Sequence, residues 1–293
     1  MARREAVPLK SKKAKKRNAA FLPWVTLLLL PAAVIPFLFL RAAEARTEPQ
    51  ACEGLSVVER LAERDPAEVE RVVRRQEEEQ RKKQAAADRE ADRRKRLAAL
   101  EEGSVWEYFS DYLILGDSRA VGFTVYHLLD PARVLAGGGL TIRNIPDYLD
   151  EVRVWNPAYI YLCFGLNDTG VGYWDTPEEY AAEMRQRIDE LRQAAPDARI
   201  IISSILPATE AALKRSPVWR KIPAFSKAVS GLCGSNGVAF ADNSGIAKEY
   251  MDTLWDEDGV HLQEAFYPYW AKNLLTAAVE ADFSYDTDTR TFG

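Results

Sequence analysis

The strongest constraint on this chain is an alternation that begins near Val105. Short apolar runs recur at Tyr112–Leu115, Arg133–Ala136, Tyr159–Phe164, Arg199–Ile205 and Val238–Ala241. Each is bounded by turn residues, and several are rich in Ile, Val or Tyr, as strands buried on both faces are. Helical stretches are expected between them: after Ser118, around Ile145–Val154, around Val218–Leu232 and from Gln263 to about Val279. The clearest helix opens at Thr176-Pro177-Glu178-Glu179 and runs to about Ala195, before Pro196. Thr176 is an N-cap, Pro177 suits the first helical position, and Glu179 completes a capping box. Strands alternating with helices over residues 105–293 predict one doubly wound α/β domain with a parallel sheet. In such a sheet, active groups collect at the carboxyl ends of the strands.

The N-terminal part follows other rules. Residues 21–40, FLPWVTLLLLPAAVIPFLFL, carry no charge and only one strongly polar residue, Thr26. Twenty such residues at about 1.5 Å each span roughly 30 Å, the thickness of a bilayer core. Pro23, Pro31 and Pro36 are tolerated in membrane helices. Ahead of this run, residues 1–20 hold eight Lys/Arg and one Glu, net +7. The positive-inside rule therefore predicts a cytoplasmic tail over 1–20, a single span over 21–40 and everything after it outside the cell. Ala43-Glu44-Ala45 also fits a signal-peptide cleavage site, but the apolar run is longer than the usual signal core, which favours an anchor. Cys52 lacks a lipobox before it, which leaves an interchain disulfide or an unpaired thiol.

Residues 41–104 read as a charged, mostly helical stalk. The stretch from Arg71 to Glu102 has no Gly or Pro, and opposite charges recur at helical spacing, as in Glu77 with Arg81 and Glu78 with Lys82. No apolar residue falls between Arg74 and Gln84, so a continuous coiled-coil seam is broken. That leaves a spacer with at most weak self-association at its ends.

Residues 103–293 hold 16 basic and 27 acidic residues, net −11, a poor match for nucleic acid. Three cysteines cannot build a disulfide framework, and two histidines argue against a His-rich metal site.

Four short motifs carry the chemistry. Gly116-Asp117-Ser118 ends the first strand and puts a hydroxyl where a helix begins, a place that favours a developing anion. Gly137-Gly138-Gly139 follows the second strand, and Gly165-Leu166-Asn167-Asp168 the third. Asp258-Gly259-Val260-His261 precedes the last helix. Taken singly, each is an ordinary turn or cap. Taken together they supply a nucleophile, a base, an orienting acid and oxyanion donors, the set acyl transfer needs. His127, in the predicted first helix, reads as structural, which leaves His261 as the general base.

These four motifs, in this order, resemble the blocks of the SGNH, or GDSL-type, hydrolases, over Tyr112 to the last helix. The resemblance implies a flavodoxin-like three-layer α/β/α fold, esterase or acylhydrolase chemistry, and no cofactor or metal. Carried over by position, Ser118 is the nucleophile, His261 the base, and Asp258 its orienter. The oxyanion would be held by the N–H groups of Ser118 and Gly139 and the side-chain amide of Asn167. Family members often have Ser-Gly-Asp-Thr where this chain has Gly138-Gly139-Leu140-Thr141, so Gly138 stays an alternative to Gly139.

Substrate is read from address. An anchored domain outside the cell points to O-acyl, foremost O-acetyl, esters on an envelope carbohydrate. Tyr173 and Trp174, soon after Asn167, are the candidate substrate-stacking residues. A single apolar span favours an esterase over an O-acetyltransferase, which would need a separate acyl donor. A catalytically silent wall-binding module is the reading from another class.

Overall fold

The computed structural model describes residues 65–234 and 238–288. The expected tail, the membrane span, Cys52 and the first part of the stalk lie outside the described residues. Among those described, no helix is long and apolar enough to cross a membrane. The chain divides into two compact units, residues 1–76 and 77–293.

Helix α1, Pro66–Glu102, opens where Asp65 accepts the Ala67 N–H at 3.0 Å, with Pro66 in the first turn. Its surface pairs, Glu70–Arg74 and Glu78–Lys82, each meet at 2.8 Å. Within the second unit the end of α1 is packed. Leu100 is buried, Leu97 lies against the same apolar cluster, and Arg93 and Arg96 pair with Glu280 and Asp282 at 2.5 and 2.7 Å. Over these turns, the solvated stalk expected from composition gives way to a helix joined to the domain.

The domain is built on five strands: β1 (Tyr112–Gly116), β2 (Val134–Ala136), β3 (Tyr159–Cys163), β4 (Arg199–Ser203) and β5 (Val238–Ala241). Every pairing is parallel, and the order is β2-β1-β3-β4-β5. The chain thus reverses direction of travel across the sheet between β1 and β3, where ligands of open α/β sheets bind. Alternate strand residues feed opposite layers. Leu113, Leu115, Ile160, Leu162, Ile200 and Ile202 pack into one core with α3 (Leu149–Trp155), α5 (Pro177–Ala194) and α7 (Ile222–Ser230). Ile114, Tyr161, Cys163 and Ile201 pack into the other, with α8 (Ser244–Leu254) and α9 (Tyr267–Asp288). These two layers around one parallel sheet are the three-layer α/β architecture expected.

Helix α5 is the element with the strongest local signal, and it forms as read: Thr176 Oγ1 accepts the Glu179 N–H at 3.2 Å and the capping box closes. Elsewhere the local detail differs. No long helix follows Ser118. A turn leads into the four-residue α2, Gly122–Val125, because Val121, Thr124 and Val125 are poor helix formers and Gly122 lies tight against the Tyr267 ring. His127 lies past the end of α2, not inside it, exposed and in the left-handed region at φ 56°. Two expected helices begin as 3₁₀ segments: Ile142–Tyr148, where Pro146 inside the segment has no N–H to donate, and Pro217–Lys221. Three helices were not anticipated: α4 (Leu166–Val171), α6 (Glu210–Arg215) and α8.

Candidate active site

Ser118 lies two residues past the end of β1 and is half-buried at the carboxyl end of the sheet. Its neighbours on both sides are tied down. The buried Asp117 carboxylate accepts the Arg119 N–H at 3.0 Å on one oxygen and the Leu166 N–H at 3.2 Å on the other. Burial pushes the Asp117 carboxyl up, against the pull of the Arg119 charge. The Arg119 carbonyl accepts the Tyr267 hydroxyl at 2.8 Å. The N–H of Ser118 itself donates to nothing among the described residues.

Asp258 and His261 sit in the loop between α8 and α9, ahead of the last helix. One antiparallel bridge, Trp255 to Leu262, closes the loop, and Asp256 N–H donates to the His261 carbonyl at 2.9 Å inside it. His261 Nε2 lies 3.1 Å from Ser118 Oγ, across 143 residues of sequence. His261 Nδ1 lies 2.6 Å from Asp258 Oδ2. The other oxygen, Oδ1, accepts the N–H groups of Val260 and His261 at 2.8 and 2.9 Å. Partial burial opposes charge on Asp258, but the His261 imidazole and these two N–H groups outweigh it and hold the carboxyl at about 2. A carboxylate that stays charged favours the imidazole tautomer with its proton on Nδ1, so that Nε2 faces the hydroxyl as an acceptor. The side chains of His261 and Asp258 remain 46% and 49% exposed, so the pair opens to solvent.

The glycine run follows β2 and Asn167 follows β3, the two strands that flank β1. Gly137 N–H is used, donating to the Gly116 carbonyl at 3.3 Å. The N–H groups of Gly138 and Gly139 donate to nothing among the described residues, and Gly139 takes a left-handed φ of 77° in open space. Asn167 belongs to the short helix α4, and one of its Nδ2 hydrogens goes to the Leu140 carbonyl at 2.9 Å. That bond leaves the second amide hydrogen available and ties the two loops together. Asp168 is buried and its Oδ1 accepts the Ile142 N–H at 3.0 Å, a second tie between the same loops.

The two aromatic candidates part company. Tyr173 is exposed, with the Arg143 guanidinium 4.5 Å from its ring centre. Trp174 is not available to a substrate. It is buried against Tyr180, and its indole N–H donates to Glu183 at 2.7 Å, because the start of α5 folds over it.

Sequence reasoning missed Arg119. Its side chain is buried, and its guanidinium donates to the carbonyls of Val260 at 2.8 Å and Pro207 at 3.0 Å, and to that of Leu206. Nothing in the local sequence marks an arginine in a turn as buried. The equally buried Asp168 was named only as a neighbour of Asn167.

The sequence model of the GDSL-like lipase/acylhydrolase family matches residues 114–268. No curated protein sequence matches. Among solved structures, a carbohydrate esterase family 3 protein from Talaromyces cellulolyticus is 18% identical, with a TM-score of 0.45 over 58% of this chain and 96% of that one. The C-terminal catalytic domain of peptidoglycan O-acetyltransferase A from Streptococcus pneumoniae is 19% identical, with a TM-score of 0.42 over 59% and 95%. A lipase/acylhydrolase from Enterococcus faecalis is 14% identical, with a TM-score of 0.44 over 58% and 96%. The family match covers more than half of the chain and contains all four motifs, and so the chain belongs to the GDSL-like, or SGNH, lipase/acylhydrolase family and is an ester hydrolase.

Proposed function

We propose that the chain is a serine esterase that removes O-acyl, foremost O-acetyl, groups from a cell-envelope carbohydrate, using Ser118, His261 and Asp258. The observation that carries this is the continuous hydrogen-bond chain from Ser118 Oγ through His261 to Asp258. His261 takes the Ser118 proton on Nε2 as Oγ attacks the ester carbonyl. Asp258 holds the imidazole by Nδ1 and stabilises its charged form. The N–H groups of Ser118 and Gly139 and the second amide hydrogen of Asn167 receive the oxyanion, each donor being worth about 2.7–4 kcal/mol in the transition state. The alcohol leaves with the proton from His261, and water, activated by the same imidazole, releases the acid. The half-exposed His261–Asp258 pair suits an ester carried on a polymer, which must reach the serine from bulk solvent. The exposure of Tyr173, six residues after Asn167, supports it as the side chain that stacks on a sugar ring.

The full chain should hydrolyse p-nitrophenyl acetate in excess chelator. Ser118→Ala should lower kcat by about 10³-fold or more. Wild-type turnover in Ser118→Ala would end this reading. With an acetylated glycan as donor, free acetate identifies the esterase, and acetylated acceptor sugar would identify a transferase instead.

The same proposal includes the address. Eight cationic residues followed by a charge-free run over 21–40 favour a single-pass anchor with the catalytic domain outside the cell. Protease added to intact, wall-stripped cells should remove the domain and spare roughly the first 40 residues, by the spanning-length argument. A domain that stays protected until lysis would place it in the cytoplasm.

A further inference from the structure

Arg119 joins the two halves of the site. Its guanidinium is buried and, among the described residues, finds no carboxylate in hydrogen-bond contact; it donates instead to the carbonyls of Val260, Leu206 and Pro207. One acceptor belongs to the loop that carries His261 and two to the segment after β4. Burial pulls the guanidinium down to about 10, with Asp117 opposing it, so it stays charged at neutral pH. A charged donor among carbonyls is stronger than a neutral one, and arginine's flat fork reaches several acceptors that a lysine ammonium reaches only in part.

The Val260 carbonyl is the important acceptor. It belongs to the peptide plane just before His261. The N–H on the other edge of that plane is held by Asp258 Oδ1 at 2.9 Å. Arg119 Nε holds the carbonyl edge at 2.8 Å. With both edges held, the plane cannot rotate, and the direction in which His261 leaves the backbone is set. At its other end Arg119 is the residue after Ser118, and its own N–H and carbonyl are held by Asp117 and Tyr267. The backbone carrying the hydroxyl and the backbone carrying the imidazole are therefore linked through one side chain.

We infer that Arg119 is a positioning residue that sets the approach of His261 Nε2 to Ser118 Oγ, acting through the Val260–His261 peptide. This rests on the triad reading of Ser118 and His261. The effect belongs in kcat, because Arg119 is buried beneath the site and offers nothing to a bound substrate.

The test compares Arg119→Lys and Arg119→Gln with Asn243→Ala in the full chain. Asn243 is a buried polar residue bonded to Ser203, Ser204 and Asn273; among the described residues it makes no bond to the Ser118 or His261 loops, and so it serves as a control for lost stability. The readouts are kcat, KM, Tm and the rate of fluorophosphonate labelling per folded molecule. Arg119→Gln should lower kcat and the labelling rate together by about 10–100-fold, with KM within twofold, and Arg119→Lys should recover part of the loss. Asn243→Ala should lower Tm and leave both rates. Arg119 variants with lowered Tm but wild-type kcat would overturn the inference. If the variants do not fold, nitrogen-15 spectra of the wild-type Arg119 side chain decide. Resolved, slowly exchanging guanidinium protons support the tether, and one averaged signal overturns it. Full activity in Ser118→Ala would instead mark failure of the triad reading itself.

Discussion

Asp168 shows at the scale of one residue what a buried carboxyl does to the whole. Its Oδ1 accepts the Ile142 N–H, while Oδ2 is buried with no partner among the described residues. Burial raises the carboxyl to about 7, and the charge of Asp117 adds to the rise. The native state therefore holds a proton that the unfolded chain releases above about pH 4. The stability tied to this proton is fully present below about pH 4 and is lost as pH rises through about 7. A shift of that size corresponds to at most about 4 kcal/mol. Asp168→Asn keeps an acceptor for Ile142 and removes the titration. Urea midpoints from pH 4 to 8 should fall less steeply in the variant than in the wild type. Equal slopes would mean that Asp168 is already ionised in the fold. Tyr173 and Trp174 make the complementary point: adjacent aromatic residues in sequence, one facing solvent and one part of the core.

At the scale of an element, the loop between α8 and α9 carries both Asp258 and His261. Trp255, Val260, Leu262 and Phe266 are its buried apolar residues, and backbone ties to its surroundings hold the tip that carries the two site residues. Thr209 N–H donates to the Gly259 carbonyl at 2.9 Å, and Arg215 donates to the Asp258 carbonyl. Gly259 sits at φ 71°, and a Cβ there would lie 2.0 Å from Thr209 Oγ1. Gly259→Ala thus meets both strain and a clash, and should cost roughly 1–3 kcal/mol. The clash also pushes the loop off Thr209, so kcat should fall at least tenfold on p-nitrophenyl acetate. Wild-type kcat in that variant would show that the loop relaxes without moving His261. A Cβ at Gly139 meets open space instead, so Gly139→Ala should cost backbone strain alone, about 1–2 kcal/mol, in a denaturation measurement.

At the scale of the molecule, the end of α1 behaves as part of the domain. Leu100 is buried beside Val105 and Leu275, and Lys272 pairs with Glu101. A cavity of about 360 Å³ lined by Arg96, Leu100, Tyr159 and Tyr161 lies under the same turns. A chain cut to begin at residue 105 would lose this cover and expose the apolar side of α9. Its Tm should fall by several degrees against the full chain, while a chain beginning at residue 77 should keep the full value. Equal Tm in all three would reduce the packing of α1 to an incidental contact.

What the sequence determined by itself was whatever is local. The five strands were legible because strands buried on both faces are continuous apolar runs, and Ile200–Ile202 or Leu113–Leu115 cannot be placed in water. Helix α5 was legible because Thr176, Pro177 and Glu179 write its start within four residues. The four motifs were legible as a set, and their family resemblance carried the expected layers. The tertiary structure decided what depends on distance. Burial of Arg119 and Trp174 follows from which segments close over them, a property of no short window. The shift of Asp168 needs the surroundings that strip its water away. The 3.1 Å between Ser118 and His261 is made by a loop that, besides its internal bonds, is tied to Thr209, Arg119 and Arg215, all far from its own stretch of sequence.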